Sequence, residues 1–182
     1  MIHLQSYVLG RWHSGSGAAQ VLFDPSSEEP IASASSGGVD FRAVLDFARN
    51  RGGPALRERS FAERGGMLKA LSKAIHAHRD ELLDLSTKNA GATRSDGKFD
   101  VDGATGTLAF YGELAESCGA RTFLVDGPGV QLGRTARFWG EHLRVPKHGA
   151  AIHVNAFNFP AWNMASACPR SSAPTPIISR GL

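Results

Sequence analysis

Apolar positions along the chain recur with different periods, and each period predicts a different kind of element. The runs Tyr7-Val8-Leu9-Gly10-Arg11-Trp12 and Val21-Leu22-Phe23 flank the glycine-rich stretch Ser14-Gly15-Ser16-Gly17, the composition of two short strands around a turn. Asp40 is placed to cap a helix that buries Val44, Leu45, Phe47 and Ala48, and Gly52-Gly53-Pro54 stops it. Ser60-Phe61-Ala62-Glu63 has the spacing of a capping box, in which serine and glutamate each satisfy the other's backbone amide. Leu68, Leu71 and Ile75 then follow at helical spacing, and Leu82, Leu83 and Leu85 extend or restart that stripe before Gly91. A third helix is predicted from Asp100 to about Cys118, with Val101, Thr105, Leu108, Tyr111 or Gly112, and Ala115 on one side. Gly103, Gly106 and Gly112 lower its propensity, so it must pack closely against another element.

From Thr122 the period shortens. Thr122-Phe123-Leu124-Val125 and Val130-Gln131-Leu132 flank the turn composition Asp126-Gly127-Pro128-Gly129, and Phe138 to Val145 reads as a further strand. The last pattern is the most informative. Ala150-Ala151-Ile152-His153-Val154-Asn155 is an apolar run that ends in the polar, aromatic and proline-capped segment Ala156-Phe157-Asn158-Phe159-Pro160, and Ala161-Trp162-Asn163-Met164 opens a helix. In an α/β sheet ligands sit at the carboxyl ends of strands, where free backbone groups and helix N-termini converge. A buried strand followed by an ordinary loop fits the same residues.

Composition narrows the function classes. With 182 residues, 42% of them hydrophobic, the chain is long enough for one ordinary domain. A net charge of +3, from 20 basic and 17 acidic residues scattered among one another, gives no footprint for nucleic acid or a membrane surface. Cys118 and Cys168 form no Cys-x-x-Cys motif and fit a reducing compartment. His76 and His78 stand two apart and so point to different faces of a helix, which argues against a shared metal. Gly15-Ser16-Gly17 lacks the lysine and hydroxyl of a phosphate loop. No leader pattern opens the chain and no apolar run has membrane length, so the expected location is the cytoplasm.

The segment Asn155-Ala156-Phe157-Asn158-Phe159-Pro160 resembles the Asn-Phe-Pro motif of the aldehyde dehydrogenase superfamily. The variant is similar to that of PaaZ/PaaN-type phenylacetate-degradation proteins and of semialdehyde dehydrogenases of benzoyl-CoA oxidation. Gly53-Pro54-Ala55-Leu56-Arg57, Glu63-Arg64, Met67-Leu68-Lys69-Ala70, Gly91-Ala92-Thr93-Arg94 and Asp100-Val101-Asp102-Gly103 resemble the same group, in order, as far as Met164. The resemblance implies an α/β fold, with helices, the start of a Rossmann-like parallel sheet and a β extension that joins subunits of a homo-oligomer. Residues 1–182 then form an incomplete NAD(P)-binding domain, with the catalytic domain absent. The implied family activity is oxidation of an aldehyde with NAD or NADP, here an acyl-CoA semialdehyde in aromatic-acid catabolism.

By the same resemblance Asn158 donates its side-chain amide to the oxyanion formed when a cysteine thiolate attacks the aldehyde. A neutral amide suits that task, because it stabilises developing negative charge without titrating. Val154, Asn155, Ala156 and Phe157 line the nicotinamide and ribose side of the cofactor, and Arg180 stands where the family has a lysine on the ribose. His153 is expected in the strand without a catalytic role, and Cys118 as a structural thiol, since the family's nucleophile belongs to a second domain.

After Met164 the resemblance lapses: Ala165-Ser166-Ala167-Cys168-Pro169-Arg170-Ser171-Ser172-Ala173-Pro174 is poor material for the family's buried helix, and Thr175 to Arg180 looks like the next strand. A local reading-frame slip followed by early termination is our hypothesis for this pattern. The expectation is a fragment inactive alone, with apolar surface uncovered where further strands belong. A non-catalytic partner that docks through its hairpin is the second reading, and a redox pair of Cys118 and Cys168 the third.

Overall fold

The computed structural model describes the backbone of residues 1–170 and 178–181 and the side chains of residues 1–168. It opens with β1 (Ile2–His3), β2 (Gln5–Val8) and β3 (Arg11–Ser14), and β2 pairs antiparallel with β3. Leu9 and Gly10, at φ 54° and 79°, make the tight turn between them. Two successive left-handed residues match the twist of a two-residue hairpin. The run from Tyr7 to Trp12, predicted as one strand, contains this turn. The glycine-rich stretch does follow β3 and precede the next strand, where Ser16 N–H donates to the Gly37 carbonyl at 2.9 Å, but the strands on its two sides do not pair with each other. Next, β4 (Gln20–Phe23) pairs antiparallel with β5 (Pro30–Ala34), and β5 pairs parallel with β1. The small residues of β5 carry no periodic apolar signal, yet Ala32 and Ser33 are buried.

Asp40 caps α1 (Phe41–Phe47) as predicted, its carboxylate accepting the Ala43 amide at 2.9 Å. Gly52 and Gly53 do not stop the helix. A π-helical turn over Ala48–Gly52 leads straight into α2 (Gly53–Arg57), with both glycines right-handed. The wider turn accommodates Pro54, which has no N–H to give and crowds the preceding turn. The capping box opens α3 (Phe61–Ala77) as expected: Ser60 Oγ accepts the Glu63 amide at 3.2 Å, and the Glu63 carboxylate accepts the Ser60 amide at 2.7 Å. The leucine stripe restarts in α4 (Arg79–Ala90), which ends at Gly91 with φ 64°. Then α5 (Arg94–Ser117) begins six residues before the predicted Asp100, because the Thr93 hydroxyl caps it by accepting the Asp96 amide at 3.2 Å.

Helix α5 is the axis of the molecule. Gly65 and Gly112 meet where α3 crosses it, and a Cβ on Gly65 would lie 2.6 Å from the Gly112 carbonyl oxygen. The expectation of close packing at the α5 glycines holds for Gly112 and Gly103, whereas Gly106 faces open space. Arg79 binds both carboxylate oxygens of Asp102, at 2.6 and 2.7 Å, and so fastens α4 to α5.

Beyond α5, β6 (Leu124–Val125) and β7 (Val130–Gln131) pair with β9 (Leu143–Arg144) and β8 (Trp139–Gly140) respectively, all antiparallel. The extension is therefore one long hairpin with its tip at 132–138. The turn predicted at 126–129 is an interruption in one arm. Finally β10 (Ile152–Asn155), α6 (Pro160–Arg170) and β11 (Ile178–Gly181) form a strand, helix and parallel strand, the start of a parallel sheet. Contrary to the composition argument, the helix after Met164 does form through Arg170. Ala165 and Ala167 are small enough to bury, and Ala165 packs with Ala104 and Leu108 of α5 in the main core.

The glycine contacts on α3 make opposite predictions for neighbouring residues. Gly65→Ala forces a Cβ against backbone and lowers stability by about 1–3 kcal/mol, whereas Gly66→Ala, with nothing within 4 Å, raises it by about 0.5–1 kcal/mol. Urea denaturation of both variants reads the difference.

A second prediction concerns acid. The Asp102 carboxyl is held below its ordinary value by its hydrogen bonds from Arg79. The stabilisation is fully present above the ordinary carboxylate range and is lost as pH falls through the depressed folded value. Asp102→Asn should flatten the acid side of a plot of denaturation midpoint against pH.

Candidate active site

The segment between β10 and α6 takes its position from α5. Pro160 has no N–H, and the amides of Ala161 and Trp162 face the start of a helix with no carbonyl to receive them. Both donate to the carboxylate of Asp100, at 3.1 and 2.7 Å, and Asp100 is only 2% exposed. The Trp162 indole N–H donates to Thr107 Oγ1 at 2.9 Å. Its ring lies against Gly103, where a Cβ would come within 2.5 Å of it. Phe99 adds edge contacts to Trp162 and Phe159, at centroid distances of 5.0 and 6.0 Å.

This frame presents the turn 156–159. Asn158 is exposed, and its side chain hydrogen-bonds to no described residue. Val154 and Phe157 are each 62% exposed, and Ala156 is exposed beside them. Asn155 differs: at 5% exposure it is buried and faces inward, away from its exposed neighbours. The Ala156 amide is already engaged, donating to Asn163 Oδ1 at 3.1 Å. Parallel register sets Arg180 of β11 opposite Val154; its side chain lies outside the described residues. The six predicted residues thus share the carboxyl end of one strand pair, but they do not all point the same way.

On the helix side of β10 a cleft of about 290 Å³ is lined by His153, Val154, Asn155, Asn163, Ser166 and Ala167. His153 is half-buried in the strand as expected, and its Nε2 has no partner among the described residues. Between 152 and 163 it is the one titratable side chain. The turn therefore offers a neutral donor and open backbone, without a nucleophile. Cys168, on α6, is a poor candidate for that role, because burial pushes its thiol above the ordinary value. Cys118 and Cys168 are not joined by a disulfide, and Cys118 donates to the Leu114 carbonyl, so the redox-pair reading gains no support here. Among the described residues no group of three His, Cys, Asp or Glu could hold a metal, and no helix is long and apolar enough to cross a membrane.

The model of the aldehyde dehydrogenase family matches residues 12–171. The chain belongs to the aldehyde dehydrogenase family. It is 39% identical, over 97% of its length, to the 3,4-dehydroadipyl-CoA semialdehyde dehydrogenase of Aromatoleum evansii. It spans 35% of that relative. Among solved structures it is similar to betaine aldehyde dehydrogenase of Staphylococcus aureus in complex with NAD+, at TM-score 0.78 and 17% identity, covering 97% of this chain and 34% of that one. A 3,6-anhydro-L-galactose dehydrogenase gives TM-score 0.80 at 17% identity, covering 99% and 36%. At such identities the solved structures establish the fold, which is that of the N-terminal part of an aldehyde dehydrogenase.

Sequence reasoning found the strand and the turn that carries Asn158, and missed what holds them. Asp100 reads in the sequence as a helix boundary, and Asn163 as part of a new helix. A signal was available for the first. The α6 start has proline at its first position and Phe159 before it, so the next amides need an acceptor from elsewhere. The structure separates the roles of the two residues at this site: Asp100→Ala leaves two amides unsatisfied and should cost about 2–3 kcal/mol, while Asn158→Ala should change stability by less than about 0.5 kcal/mol. Urea unfolding followed by Trp162 fluorescence checks both.

Proposed function

We propose that these residues form the oxyanion and cofactor side of the active site of a cytoplasmic, homo-oligomeric NAD(P)+-dependent aldehyde dehydrogenase. The substrate we assign is an acyl-CoA semialdehyde from aromatic-acid breakdown, a reading supported by the 39% identity to a CoA-semialdehyde dehydrogenase. The observation that carries the reading is Asn158, an exposed amide with no hydrogen-bond partner among the described residues, at the carboxyl end of β10 on a turn anchored by buried Asp100. When a thiolate attacks an aldehyde, negative charge develops on the carbonyl oxygen, and a fixed neutral N–H donor stabilises it more than it stabilises the substrate. Asn158 supplies that donor.

The open end of β10 suits one wall of a nicotinamide site. Val154, Ala156 and Phe157 present exposed surface there, Asn155 is buried behind them, and Arg180 lies on the neighbouring strand. A bound NAD or NADP supplies the hydride acceptor; the chain's own residues hold one side of it and orient the aldehyde oxygen. Residues 1–182 are, in this reading, an incomplete NAD(P)-binding domain. The turn holds no thiol and no carboxylate base, so the 182-residue polypeptide alone is inactive.

A second reading, a non-catalytic module that pairs with a full-length homologue, is favoured by the hairpin 124–144. Phe138, Trp139 and Leu143 are exposed there at 58%, 54% and 53%. Apolar strands of that kind seek partners.

The test joins residues 1–182 to the remaining C-terminal portion of the Aromatoleum evansii relative and measures NAD(P)H formation from a CoA semialdehyde. Asn158→Ala should lower kcat by about 10²–10³-fold, and a kcat within a few-fold of the parent would contradict the assignment. The unjoined chain should form no NAD(P)H, and turnover by it would refute the incomplete-site reading.

A further inference from the structure

The segment that carries Asn158 is held at both ends by one residue. Ala156 N–H, at the strand end, donates to Asn163 Oδ1 at 3.1 Å. Asn163 N–H donates to the Phe159 carbonyl, at the helix end, at 3.2 Å. Asn158 lies between these two points, exposed and without a hydrogen bond of its own to any described residue. Asp100 fixes α6, but its bonds reach Ala161 and Trp162 and so lie downstream of Asn158. The amide of Ala156 also leaves the strand ladder at the point where β10 ends, and a donor without a partner there would let the turn swing.

We propose that Asn163 is the positioning residue of the oxyanion donor: its side-chain oxygen, accepting from Ala156, sets the conformation in which the turn presents Asn158. The catalytic consequence rests on the reading of Asn158 given above. The structural claim does not. What the geometry requires at position 163 is an acceptor oxygen at the δ position, which an aspartate also supplies and a leucine of similar size lacks. Asn163 is itself exposed, so its replacement empties no core.

Those two facts define the experiment. In ¹⁵N-labelled 182-residue chain, Asn163→Leu should speed amide exchange at Ala156 by about tenfold and shift the Phe157 and Asn158 backbone signals together with the Asn158 side-chain NH₂ pair. Asn163→Asp should keep all of these near their wild-type positions, and Asn163→Ala should repeat the leucine result should the larger side chain clash. Signals at Ala156 and Asn158 that stay unchanged in Asn163→Leu and Asn163→Ala would overturn the proposal. So would an aspartate variant that behaves like the leucine one. The spectra do not depend on turnover: if Asn158 proves irrelevant to catalysis, the Asn163 result stands, and if the Asn163 result fails, the donor role of Asn158 is untouched.

Discussion

A carboxylate on one helix supplies what the first turn of another lacks. The start of α6 contains a proline and two amides with no helical acceptor, and Asp100 of α5 takes both amides while almost fully buried. Burying a charge is costly unless hydrogen bonds replace its water. Here two backbone donors do so, and the partial positive charge of a helix N-terminus favours an anion at that place. The arrangement fixes where α6 begins and at what angle it meets α5. The turn 156–159 follows from that placement, because its far end is the first turn of the helix.

The surroundings of Asp100 are built to bring α6 close. Gly103 leaves room for the Trp162 ring, and Thr107 receives the indole N–H, so positions 100, 103 and 107 of α5 present one face to α6. Leu108 and Ala104 meet Ala165 farther along. On its other sides α5 contacts α3 through Gly65 and Gly112 and α4 through Asp102 and Arg79. The parallel pair β10–β11 carries the exposed ends of the site, while its location is determined from the helical side. Ile152, Val154 and Phe157 remain open, the kind of surface that further strands of a parallel sheet cover.

Elements with a strong local cause were legible in the sequence: the capping box of α3, the Asp40 cap, and the strand that stops at Asn155. The Asn-Phe-Pro resemblance located the candidate donor. Features decided by tertiary contact were not legible. The Gly52-Gly53-Pro54 stop failed because a π turn carries the helix through, and β5 escaped notice because its small side chains show no alternation. Helix α6 looked too poor in helix formers, yet its alanines are what allow burial against α5. The resemblance groups Asn155 with its exposed neighbours, though alternation along a strand turns it inward. Residues 171–177, which the sequence makes a proline- and serine-rich continuation after α6, lie outside the described residues.

Amide hydrogen exchange in Asp100→Ala, compared residue by residue with the parent chain, tests most directly whether α5 positions the site. Protection should fall at Ala161, Trp162 and the first turn of α6 while the amides along α3 and α5 keep theirs. Unchanged protection at Ala161 and Trp162 would contradict the account, and it would show that the sheet or the turn itself holds the helix start.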